Sequence, residues 1–184
     1  MDPRIALCLE YLAPHIARDA VAITGSVALG RTPHDLDLLI ARRDAIAPTV
    51  CATFLVSHYH ATLVQLVDPR AKIHIDIFLD TTGAIADAQL GPDGWLVLDD
   101  DDLLDHKLDL VGRATIESPI DPKHVEDARA LARRLLRPQP IVDPLVLRET
   151  VYCTDVEVQC TRCERAADFP LAPKTDVFAI LGYV

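Results

Sequence analysis

The chain has 184 residues, 18 Lys+Arg against 28 Asp+Glu and a formal net charge of −10; 50% of its residues are hydrophobic. This is globular composition at about the length of one domain, sufficient for a core that needs neither disulfides nor metal, and it argues against disorder. No run of about 18 uncharged apolar residues is present, and Met1-Asp2-Pro3-Arg4 lacks the order of a signal peptide, so a cytoplasmic protein without a membrane partner is expected. The acidic balance counts against broad charge-driven nucleic-acid binding, which needs Lys and Arg on one face, although a local basic patch stays open.

Helical spacing of Ile5, Leu9, Leu12 and Ile16 predicts an amphipathic helix over 4–18. Ala20 to Thr24 is a short apolar run stopped by Gly25, as a buried strand ending in a turn would be. Residues 35–40 read as a second strand and 44–53 as a helix. Strands near 62–67 and 72–79 flank the turn Asp68-Pro69-Arg70-Ala71 and predict an antiparallel hairpin. Gly91-Pro92-Asp93-Gly94 marks another turn before a short strand, Trp95–Leu98. Asp99 to Asp102 precede Leu103, Leu104, Leu108 and Val111; carboxylates there cap a helix and complement its dipole. Asp121-Pro122 opens a last helix, to about Leu136, and Arg137-Pro138-Gln139-Pro140 reads as a linker. The expected fold is α/β: a small twisted mixed sheet with helices on one face. The expected organisation is a core over 1–98, a helical region over 99–137 packed on it, and a cysteine-bearing tail over 138–184.

The chemistry concentrates in Gly25-Ser26 and Asp35-Leu36-Asp37. Alternate residues of a strand share a side, so Asp35 and Asp37 present two carboxylates together. A Gly-Ser turn ending the preceding strand exposes backbone amides and a hydroxyl to phosphate. Hard oxygen ligands beside a phosphate site suit Mg²⁺. Asp76 lies inside the apolar strand Lys72-Ile73-His74-Ile75-Asp76-Ile77-Phe78, where a carboxylate is costly unless paired or functional. The bland alternative is that Asp35 caps a turn, Asp37 faces solvent and Asp76 pairs with an arginine.

Gly25-Ser26, Asp35-x-Asp37 and the later strand Asp76 together resemble the signature of the DNA polymerase β-like nucleotidyltransferase superfamily. The resemblance implies that Gly25 and Ser26 bind nucleotide, that Asp35 and Asp37 hold two Mg²⁺ ions, and that Asp76 ligates the catalytic metal and orients or deprotonates the acceptor hydroxyl. The implied reaction moves a nucleoside monophosphate from an NTP to an acceptor hydroxyl or phosphate: a small molecule, a tRNA end or a protein. A catalytically inactive nucleotide- or partner-binding module is the rival reading.

A looser resemblance covers Asp105-His106-Lys107-Leu108 through Gly112-Arg113 and then Lys123-His124-Val125-Glu126-Asp127. This stretch is similar to AbiEii-type nucleotidyltransferases and their toxin relatives, and it implies a catalytic role for Lys107, whose compact charge would reach nucleotide phosphate, a functional role for Asp127, and a cognate antitoxin-like partner. Glu126 departs from the usual Lys-Asp spelling, and the chain is shorter than typical members. The plain alternative is a surface ion pair between two helices. Overall the resemblance spans roughly residues 20–135.

Arg31 follows the Gly30 turn, where it would steady a triphosphate or simply be solvated. Arg129, Arg133, Arg134 and Arg137 form a basic stripe, favourable at a helix C-terminus by dipole alone and otherwise suited to an RNA backbone. Cys160-x-x-Cys163 has the spacing of half a zinc knuckle, with Cys153 seven residues earlier. The tail offers no fourth cysteine and no histidine, so structural Zn²⁺ would need Asp155, a side chain folded back, such as His58, His60 or Cys8, or a ligand from a second copy; reduced, partly buried thiols are the alternative.

Overall fold

The computed structural model describes residues 1–60 and 62–149. The three tail cysteines, Cys153, Cys160 and Cys163, and the zinc reading attached to them lie outside these residues. Two compact units are present: one spans residues 1–98, and the second begins at Asp99 and continues past the Arg137–Pro140 stretch.

In the first unit α1 (Pro3–Leu12) starts at Asp2, whose side chain accepts from the Arg4 amide. It stops earlier than its apolar spacing suggests, because Pro14 follows and the chain continues as a 3-10 turn over Ala13–His15. Then come β1 (Val21–Thr24), the one-turn helix α2 (Gly25–Ala28) and β2 (Asp35–Ile40). The helix expected over 44–53 is absent. Pro48 divides that stretch into two 3-10 segments, Arg43–Ala45 and Pro48–Ala52. Five strands follow: β3 (Leu55–His60), β4 (Leu63–Asp68), β5 (Ile73–Leu79), β6 (Gln89–Leu90) and β7 (Leu96–Val97).

The seven strands form one mixed sheet in the order β3-β4-β5-β2-β1-β7-β6. β4 and β5 make the expected antiparallel hairpin. Its turn is tied by Asp68, whose Oδ1 accepts from the Arg70 and Ala71 amides, while Lys72 adopts a left-handed φ of 55°. β2 pairs antiparallel with β1 and parallel with β5, which places it at the centre.

Burial alternates along the central strands, as a sheet with one packed face requires. Leu36, Leu38 and Ile40 of β2 and Ile73, Ile75 and Ile77 of β5 face a core that α1 covers with Ile5, Cys8, Leu9 and Leu12. Cys8 is fully buried there, and burial holds its thiol far above the ordinary range. Asp35, Asp37 and Asp76 occupy the opposite parity.

The second unit contains α3 (Asp100–Gly112) and α4 (Pro122–Arg134). The aspartate run acts as a cap: the Asp99 carboxylate accepts from the Asp102 amide, and Asp100, Asp101 and Asp102 lie in the first turn. The basic stripe is partly spent on this run. Arg134 pairs with Asp100 at 2.8 Å, and Arg137 pairs with Asp101 and, at 3.6 Å, with Asp105. Among the described residues no helix is long and apolar enough to cross a membrane.

Candidate metal centre on the open sheet face

Register alone brings the acids together. Asp37 is the strand partner of Asp76 across the parallel β2–β5 pair, and Asp35 is the partner of His74. On the other side of β2, Asp37 sits opposite Thr24. One carboxylate oxygen from each of Asp35, Asp37 and Asp76 lies within 4.8 Å of the other two, and all three side chains are half-buried. Like charges this close repel across a partly desolvated surface. A single divalent cation relieves all three at once.

The donor set fits a hard cation. It consists of carboxylate oxygens, which Mg²⁺ prefers, and contains no thiolate. A second observation points the same way: Asp35 Oδ1 is buried yet has no hydrogen-bond partner. Such an atom carries the full cost of desolvation unless something binds it. Thr24 Oγ1, at the end of β1, is likewise buried without a partner.

Gly25 makes the arrangement sterically feasible. Its φ is +64°, and a Cβ built on it would overlap Asp37 Oδ2 and stand 2.8 Å from Asp37 Cγ. The turn can approach the acid only without a side chain. Gly25→Ala is therefore expected to strain the backbone by about 1–2 kcal/mol and to displace Asp37 as well. A melting temperature equal to wild type with an unmoved Asp37 would contradict this contact.

Ser26 stands in α2, directly after that close approach. Arg31 lines a cavity of about 510 Å³ with Val27, Gly30, Thr32, Pro33 and Asp93, and none of the three acids lines that cavity. Sequence reasoning missed Gln65. Its Nε2 donates to Asp76 Oδ1 at 3.1 Å from the neighbouring strand β4. A polar residue inside Leu63-Val64-Gln65-Leu66-Val67 was the available signal, but its partner follows only from the hairpin register. Asp80, directly after β5, is committed to local structure. Its carboxylate accepts from the Thr82, Gly83 and Ile85 amides, and these bonds hold it below the usual carboxylate range against the cost of burial.

In the second unit Lys107 is 3% exposed and Asp127 2% exposed, and their Nζ and Oδ2 are 3.1 Å apart. The pair is thus buried rather than a surface contact. His124 Nδ1 lies 3.0 Å from the same Nζ. Burial first, and then the charges of Lys107 and Lys123, pull the His124 imidazole down to about 4. The unfolded chain takes up this proton near 6.5, so it binds more protons than the folded chain between these values. Stability from this group is complete above about pH 6.5 and is lost as pH falls toward 4. Melting temperatures should decline over that window, and His124→Gln should flatten the decline; an unchanged slope in the variant would refute the assignment.

No protein-family model matches the chain, and no curated protein matches it significantly.

Proposed function

We propose that the chain is a Mg²⁺-dependent nucleotidyltransferase of the DNA polymerase β-like type, transferring a nucleoside monophosphate from an NTP to an acceptor hydroxyl or phosphate. The observation that carries this reading is the convergence of Asp35, Asp37 and Asp76 on the open sheet face beside the Gly25-Ser26 turn. In this reading the three carboxylates hold the divalent ion, and the buried, unpartnered Asp35 Oδ1 is one of its donors. When bound, Mg²⁺ supplies charge neutralisation at the phosphates.

The chain's own residues do the positioning on which nucleotidyl transfer mainly depends. Gly25 lets the turn approach Asp37, and the Ser26 hydroxyl holds the nucleotide phosphates next to the acids. Asp76, on the strand beyond β2, orients the acceptor hydroxyl or takes its proton. The acceptor oxygen bonds to the α-phosphorus as the bond to the β-phosphate breaks, and pyrophosphate leaves. Lys107 has a role within the buried ion pair of the second unit and is proposed there as a structural anchor.

Position-specific labelling tests the reaction class. Each NTP, labelled on the α- or the γ-phosphate, is incubated with protein, Mg²⁺ and cell extract. Label from the α position should enter an acceptor while γ label leaves in pyrophosphate. Transfer of γ label, or of neither, would overturn the reading.

A further inference from the structure

We infer that Gln65 is a positioning residue for the metal centre: its amide fixes the plane of the Asp76 carboxylate so that Asp76 can share a divalent ion with Asp35 and Asp37. This rests on the proposed metal-binding reading of the three acids. The register places Thr24, Asp37, Asp76 and Gln65 in one row across β1, β2, β5 and β4, each the strand partner of the next. Within that row the Gln65 amide reaches Asp76 Oδ1 at 3.1 Å. Residues directly opposite on antiparallel strands lie close enough for their side chains to interact.

The arrangement has a physical purpose. A carboxylate on a strand is free to turn about its terminal torsion, which is broad and roughly two-fold. Held by a donor, one oxygen is fixed and the orientation of the group with it. Donors behind ligating groups act in this way in metal sites generally, and removing them commonly costs 10–100-fold in metal affinity. Gln suits the place because its amide donates without adding a charge to three existing carboxylates. A glutamate there would be acceptor-only when ionised, and would add a fourth negative group.

Binding of Mn²⁺ alone to the full chain, followed by the loss of the free-ion paramagnetic resonance signal, tests this without reference to turnover. Wild type should bind Mn²⁺ and Asp37→Asn should abolish or greatly weaken it. Gln65→Leu should weaken binding by about tenfold or more at an unchanged melting temperature. If the leucine variant fails to fold, Gln65→Val, β-branched and suited to a strand but without a donor, carries the same measurement. Wild-type binding that Asp37→Asn removes but the Gln65 variants retain within about twofold would overturn the positioning role and leave the metal centre standing. Failure of the wild type to bind Mn²⁺ would overturn the metal-centre reading, and the Gln65 inference with it.

Discussion

Asp37→Asn is expected to lower the proposed Mg²⁺-dependent nucleotidyl transfer by about a thousandfold or more, while the folded state is kept. A metal held at the reacting phosphate stabilises the transition state by several kcal/mol, and about 4 kcal/mol corresponds to that factor. Asparagine keeps the shape of the side chain beneath Gly25 but removes one of three charges that lie within 4.8 Å of one another. Relief of repulsion on the order of 1 kcal/mol would raise the metal-free melting temperature by about 2–4 °C. Activity and stability should therefore move in opposite directions, as they do when a site is strained for function. Loss of both together would mean that Asp37 serves packing rather than chemistry.

Lys107→Met is expected to cost about 3–5 kcal/mol, since it leaves the Asp127 carboxylate buried without its ammonium partner. The double variant Lys107→Met with Asp127→Leu should recover most of this loss, because two apolar side chains of similar volume remove both desolvation penalties. Equilibrium denaturant unfolding of the two variants checks it. A single variant within 1 kcal/mol of wild type would contradict the burial of the pair, and an unrecovered double variant would show that the site needs the charges themselves. Arg134–Asp100, a more exposed pair of the same unit, should give a much smaller effect on truncation.

The acids were legible in the sequence because a strand has a period of two. Asp35 and Asp37 had to share a face, and a carboxylate inside Ile73-His74-Ile75-Asp76-Ile77 needed a reason to be there. The spacing of their strands did not reveal that β5, reached only after β3 and β4, returns to lie parallel beside β2. That crossover is what sets Asp76 opposite Asp37.

β3 was hard to see for a different reason. Its sequence, Leu55-Val56-Ser57-His58-Tyr59-His60, is polar for a strand, and its register with β4 shifts between Val56 and His58. Such an irregularity breaks the alternation on which strand reading depends. The helix read over 44–53 failed at Pro48, where helical periodicity survives in the side chains but the backbone cannot continue. Gln65 and the burial of Lys107 were both matters of partner rather than pattern. A sequence shows that a polar group sits among apolar ones, while register and packing decide what it meets.

In the proposed function Asp35, Asp37 and Asp76 form one divalent-cation site serving a bound nucleotide. A crystal structure of the protein with Mn²⁺ and a non-hydrolysable NTP analogue tests it most directly. An anomalous peak is expected among the three carboxylates, bonded to the nucleotide phosphates, with Ser26 against those phosphates. A bound nucleotide elsewhere, or a metal peak away from the three carboxylates, would contradict it.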